Sequence, residues 1–154
     1  MNTLSMFDVG YIVASLEGEG TLGMEFERAD GNKSHSPHLQ SYFTISNNVI
    51  AFLEKIKETL GCGYVYSHRK ERKSTNQNTQ YKFCIFKQSD QRELLEQMLP
   101  FLIIKKKQAI LILEYLKIRK ETPRGNCNGS KRSSREFEIY GEVKELNRRG
   151  LKET

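Results

Sequence analysis

Lysine and arginine are missing from the first 27 residues of a chain whose formal charge is +6. Asp8, Glu17, Glu19, Glu25 and Glu27 stand there without a local counter-charge, while bases dominate residues 68–87 and 103–135. Cysteine is scarce. Cys62, Cys84 and Cys127 are odd in number, far apart and outside any C-x-x-C spacing, which argues against a zinc site and against a disulfide framework. No run approaches the roughly 20 apolar residues of a membrane-spanning helix. The start "MNTLSMFDVG" lacks the basic residues of a secretory signal, so an intracellular protein of the cytoplasm or an organelle matrix is expected. At 37% hydrophobic and 29% charged, the chain is not of the disordered class, and one compact domain over residues 1–154 is expected.

An acidic spot inside a basic molecule suits a metal-dependent enzyme acting on phosphates. The acids hold a cation, and the bases hold a polyanionic partner, most simply nucleic acid.

The spacing of Phe7, Tyr11, Ile12 and Leu16 predicts a helix from Ser5 or Asp8 to Gly18, with Ser5 as N-cap. Strict alternation predicts strands over 21–28, with Leu22, Met24 and Phe26 on one face, and over 38–46, with Leu39, Ser41, Phe43 and Ile45 on one face. A helix from about Asn48 carries Val49, Phe52, Leu53, Ile56 and Leu60 and stops at Gly61. "GYVYSHRKER" and "QYKFCIFK" read as a hairpin. Further helices are expected from a Ser89-Asp90 cap to about Met98, over "KKKQAILILEYLKI", and after the capping-box signature Ser133-x-x-Glu136. The order α-β-β-α-β-β-α, with extra C-terminal helices, predicts an α+β fold: a four-stranded antiparallel sheet with helices on one face. The other face then carries Glu25, Glu27, His38, Gln40, Tyr42, Tyr66, His68, Lys70, Gln80 and Lys82. Such a face is either solvated or laid into a DNA major groove, which admits β-ribbons.

Gly10, Ala14 and Gly18 form a small-residue ridge along the first helix. Glycine inside a helix costs roughly 1 kcal/mol relative to alanine, so another backbone is expected against that ridge. Either a second copy of the helix, making a symmetric dimer, or another helix of the same chain would serve. Glu17 and Glu19 fall at the negative end of the helix macrodipole. Either solvent or a divalent cation with hard oxygen ligands, such as Mg²⁺, would compensate them.

The stretch "YIVASLEGEGTL" resembles the signature helix of the LAGLIDADG homing endonucleases, particularly the single-motif members that act as homodimers. The chain holds one such motif. The element order, "GCGYV" opening the third strand and "LPFLIIKKKQA" after the third helix extend the resemblance over roughly residues 5–118, leaving a C-terminal helical extension over about 119–154. "ELNRRG" is similar to the close of some members.

The resemblance implies a site-specific, intron-encoded double-strand DNA endonuclease that cuts a long pseudo-palindromic site with Mg²⁺ and leaves short 3′ overhangs. It implies that Glu19 and the Gly18 carbonyl hold the metal. Asn47, or its neighbour Asn48, orients water near the scissile phosphate, and Lys105 activates or polarises that water; Glu17 is structural. Base edges are expected to be read by Glu25, Glu27, His38, Gln40, Tyr42, His68, Lys70, Gln80 and Lys82, with glutamate accepting from cytosine and glutamine pairing with adenine. Phosphates are expected at Arg69, Arg72, Lys73, Lys106 and Lys107. The other reading is an RNA-binding intron maturase, or a DNA-binding regulator without nuclease activity. Against a purely binding protein stands the intact set Glu19, Asn47 and Lys105, and binding to the chain's own intron RNA remains compatible with cleavage.

Overall fold

The computed structural model describes residues 1–27, 38–68, 79–121 and 133–148. Helix α1 (Met6–Glu19) begins at Ser5, whose hydroxyl accepts the Asp8 N–H at 3.1 Å, while the Asp8 carboxylate accepts the Ser5 N–H at 2.9 Å. This reciprocal cap satisfies donors that the first turn would otherwise leave orphaned. The buried stripe of α1 is Val9, Ile12, Val13 and Leu16. Phe7, expected on the inward stripe, is 82% exposed. Ile12 and Leu16 of the expected stripe are buried and Tyr11 packs against the core, so the inward side is only rotated toward Val9 and Val13.

Strands β1 (Gly20–Glu27) and β2 (His38–Asn47) pair antiparallel from Gly20↔Ile45 to Glu27↔His38. Helix α2 (Ile50–Leu60) follows and ends where Gly61 takes a left-handed φ of 65°, which glycine adopts without steric cost. Val49 is therefore the residue before the helix, 55% exposed, and not part of its inward stripe. Strands β3 (Tyr64–His68) and β4 (Gln80–Ile85) complete a four-stranded antiparallel sheet in the order β1-β2-β4-β3. Helices α3 (Gln88–Met98), α4 (Lys106–Glu121) and α5 (Ser134–Leu146) close the order. The cap of α3 is Lys87 and not Ser89 or Asp90: Asp90 sits inside the first turn, where its carboxylate lies 3.2 Å from the Lys87 ammonium. An acid there meets the positive helix end, which serves the same electrostatic purpose as a cap.

Leu39, Phe43, Ile45, Phe83 and Ile85 form the inward face of the sheet, packed against Ile12, Leu16, Leu53, Ile56, Leu94 and Ile112 of the helices. Ser41 shares that face and is buried. Its hydroxyl donates to Gln91 Oε1 at 2.6 Å, and Gln91 Nε2 donates to the carbonyls of Ser41 at 3.0 Å and Ile85 at 2.8 Å. The pair thereby avoids the ~1–3 kcal/mol cost of an unsatisfied buried polar group. Helix α5 belongs to the same core. Its Ile139 and Val143 are fully buried, Phe137 meets Phe26 edge-on at 6.0 Å, and Asn147 just beyond it donates to the Leu22 carbonyl at 2.7 Å. The C-terminal helix thus braces β1. Among the described residues no helix is long and apolar enough to cross a membrane.

Candidate catalytic centre and nucleic-acid-binding face

At the C-terminal end of α1 the two glutamates diverge. Glu17 turns toward the start of α4, where one carboxylate oxygen accepts the N–H groups of Ile103 and Ile104 at 2.6 Å each and of Lys105 at 3.4 Å. These N–H groups belong to the turn that leads into α4. In return, the Lys105 ammonium donates to the Glu17 carbonyl at 2.8 Å. Desolvation pushes the Glu17 carboxyl upward, but the N–H bonds and Lys105 outweigh it and hold the pKa below its ordinary value. Desolvation lowers the Lys105 pKa, with Glu17 opposing.

Glu19 points out to solvent. Asn47 Nδ2 donates to Glu19 Oε2, and Asn47 Oδ1 accepts the Val49 N–H at 2.7 Å. A carboxylate accepts only and a backbone N–H donates only, so the two contacts fix the orientation of the Asn47 amide. Asn48 is exposed beside it. The structure therefore brings Glu19 and Asn47 into contact and ties Lys105 to the same helix end through Glu17. The Glu17 clamp spans 86 to 88 residues of sequence, and no local signal announces it.

The donors fit a hard divalent cation in kind, since the Glu19 carboxylate and the Gly18 carbonyl are oxygens at an exposed helix end. They do not complete a cage. Among the described residues no group of three or more His, Cys, Asp or Glu is placed to hold a metal.

Gly10, Ala14 and Gly18 are all exposed, and a Cβ placed on Gly10 or Gly18 would meet nothing within 4 Å. Packing of the ridge against another helix of the same chain, one of the two possibilities raised by its spacing, is thus not what the described residues show. Phe7 and Ile103, each 82% exposed, and Ile104, 70% exposed, add apolar surface to α1 and to the segment clamped at its end.

Among the described residues, the open face of the sheet carries the polar side chains of Glu25, His38, Gln40, Tyr42, Tyr66, Gln80 and Lys82. Gln40 Nε2 donates to Glu25 Oε1 at 2.6 Å across the β1–β2 pair. The Tyr42 ring lies over Gly23, where any Cβ would collide with it. Lys82 stands between Ser46 and Tyr66 in register. The Tyr66 hydroxyl is 3.4 Å from Cys84 Sγ, and that contact, with burial, pushes the phenol up to about 12. Tyr42 is also raised, by burial and by Glu25 beside it. Thr21, Glu25, Tyr42, Thr44, Tyr66, Lys82, Cys84 and Phe86 line a concavity of about 350 Å³. Of these, Thr21, Thr44, Tyr66, Cys84 and Phe86 escaped assignment as site residues, although the alternation that places Lys82 also places Cys84 and Phe86.

His38 is half-buried at the outer end of β2 and Gln80 is exposed at the start of β4. The backbones of Glu27 and His68 pair opposite them. Arg69, Lys70, Arg72 and Lys73 lie outside the described residues. Lys106 is exposed at the start of α4, whereas Lys107 lines a groove between α4 and α5 beside Glu142 and Glu145.

No protein-family model and no curated protein matches the chain. Solved structures do, and the chain has the fold of the LAGLIDADG homing endonucleases. The homing endonuclease I-CvuI, in complex with its target in the presence of Ca, is 21% identical with a TM-score of 0.67, the match covering 97% of this chain and 89% of that one. The archaeal intron-encoded homing endonuclease I-Vdi141I, complexed with DNA, is 22% identical with a TM-score of 0.69 and coverage of 96% and 89%. Against the I-SmaMI LAGLIDADG homing endonuclease bound to cleaved DNA, at 13% identity and a TM-score of 0.63, 99% of this chain spans 47% of the other.

Proposed function

We propose that this chain is a site-specific double-strand DNA endonuclease that acts as a homodimer with Mg²⁺. The observation that carries the reading is the exposed Glu19–Asn47 contact at the end of a helix whose small-residue ridge is open. Two α1 helices crossing at Gly10, Ala14 and Gly18 bring two copies of Glu19 toward a twofold axis, one for each strand of a pseudo-palindrome. A match that covers about half of the longer I-SmaMI chain supports a two-copy assembly. The target DNA and Ca of the I-CvuI complex and the DNA of the I-Vdi141I complex support a DNA substrate and a divalent cation.

Glu19 and the Gly18 carbonyl are the groups that would hold the cation, and phosphate oxygens and water supply the donors the chain lacks. When bound, Mg²⁺ supplies Lewis-acid polarisation of the phosphate and a lowered pKa for its water. Asn47 keeps the Glu19 carboxylate turned outward and leaves its second oxygen available. Lys105, anchored on the Glu17 carbonyl with its pKa lowered, places a cation beside that centre and polarises the attacking water. The open sheet face lies in the major groove of one half-site, and Lys106 contacts phosphate.

The test is a cleavage selection from a randomised duplex library with Mg²⁺, run with the wild-type protein and with Glu19→Gln. One pseudo-palindromic consensus is expected from the wild type. The variant should bind that sequence and cut it at least about a thousandfold more slowly, since a metal centre contributes several kcal/mol to the transition state. Undiminished cutting by Glu19→Gln would overturn the assignment of the metal ligand.

A further inference from the structure

Glu25 and Gln40 are register partners on the open face, and the Gln40 amide donates to Glu25 at 2.6 Å. An ionised carboxylate has no proton to give. The contact therefore fixes the amide, with NH₂ toward Glu25 and the carbonyl oxygen away from it. Taken separately, each residue would suit a different base: glutamate accepts from cytosine, whereas a free glutamine pairs with adenine through one N–H and its oxygen. Joined, they leave Glu25 Oε2 and Gln40 Oε1 as outward acceptors, with the second Gln40 N–H as a donor beside its oxygen. A carboxylate on a face turned toward phosphates is repelled by them unless a base amino group meets it. In the major groove those amino donors belong to cytosine N4 and adenine N6. Gly20↔Ile45 pairs beside Glu19 and Asn47, and Glu25↔Gln40 lies five residues farther along β1. At ~3.4 Å per residue that is about 17 Å from the catalytic end.

From this geometry we infer that Glu25 and Gln40 act as one coupled unit, whose two outward oxygens select the amino group of cytosine or adenine in the outer part of each half-site, and that Glu25 sets the base preference of Gln40 by holding its amide in one orientation. The inference rests on the DNA-reading function proposed above and names what that face reads.

Base preferences in binding are measured by selection from a randomised duplex, with the wild-type protein, Glu25→Ala, Gln40→Ala and the double variant. Thermal unfolding of each is recorded alongside. The wild type is expected to favour cytosine or adenine over the other bases by about 10- to 100-fold at an outer position. Glu25→Ala should lose that preference and also broaden the preference at the position contacted by Gln40, because the freed amide can turn over. The double variant should discriminate no less than Glu25→Ala alone, the non-additivity expected of a coupled pair. Glu25→Gln, which keeps an acceptor and the side-chain size, should lose less than Glu25→Ala and guards against misreading a folding defect. Guanine or thymine at that position, or additive effects of the two single substitutions, would overturn the coupled unit while leaving DNA recognition standing. Failure of the wild type to select any sequence would overturn the DNA-reading function and this inference with it.

Discussion

Phe43 and Tyr42 are neighbours on β2 with opposite surroundings. Phe43 is fully buried, edge-on to Phe83 at 6.4 Å, while Tyr42 lies over Gly23 on the open side with Glu25 beside it. The same contrast runs through the sheet. Inside, even a polar residue such as Ser41 has its hydroxyl satisfied by Gln91. Outside, Gln40 and Glu25 bond to each other yet retain acceptors facing outward. The difference teaches that the polar groups of the inner face are closed to further partners, whereas those of the outer face are arranged and still open.

The largest expected effect that separates the faces comes from Phe43→Ala. Loss of a fully buried ring should cost about 3–5 kcal/mol in urea unfolding, while any folded fraction keeps the same sequence preference. A loss within about 0.5 kcal/mol would place Phe43 among surface residues and break the comparison. Lys82→Ala comes next. It should leave unfolding unchanged within about 0.5 kcal/mol and cost about 1–3 kcal/mol of discrimination at one base, read by selection in the presence of the variant. Equal weakening on every sequence would make Lys82 a phosphate contact instead.

The smallest effect concerns Glu17, an outward position on α1 put to inward use. Its folded pKa lies below the ordinary 4.5, so its contribution to stability is present above that value and is lost as the pH falls through the folded pKa. Between about pH 6 and about pH 3 the melting temperature of the wild type should therefore fall more steeply than that of Glu17→Gln. The other carboxylates are common to both proteins, so parallel curves would show that the N–H contacts of Glu17 contribute nothing.

The sheet was legible in the sequence because alternation is a local pattern. Leu39, Ser41, Phe43 and Ile45 share the inner face as their spacing predicts, and the caps at Ser5 and Ser133 announce themselves within four residues. On α1 the inward Ile12 and Leu16 were legible but the first turn was not, because Phe7 satisfies the helical period as well as Val9 and only packing decides between them. The start of α3 at Lys87 and the exclusion of Val49 from α2 are single-turn boundaries that neighbouring residues leave nearly balanced. At the candidate site, residue types and the helix end were legible. The contacts were not, since Asn47 meets Glu19 across 28 residues and Gln40 meets Glu25 through a register that a one-residue slip would abolish.

Glu17 grips the segment before α4 in two ways at once: its side chain takes the backbone N–H groups, and its own carbonyl takes the Lys105 ammonium. In mechanical terms, one attachment is a hinge, but two attachments in different directions make a weld. Together these contacts resist pivoting of residues 103–105 relative to the end of α1. Any sliding or tilting of that helix carries Lys105 with it, and the lysine keeps station with the helix from which Glu19 projects.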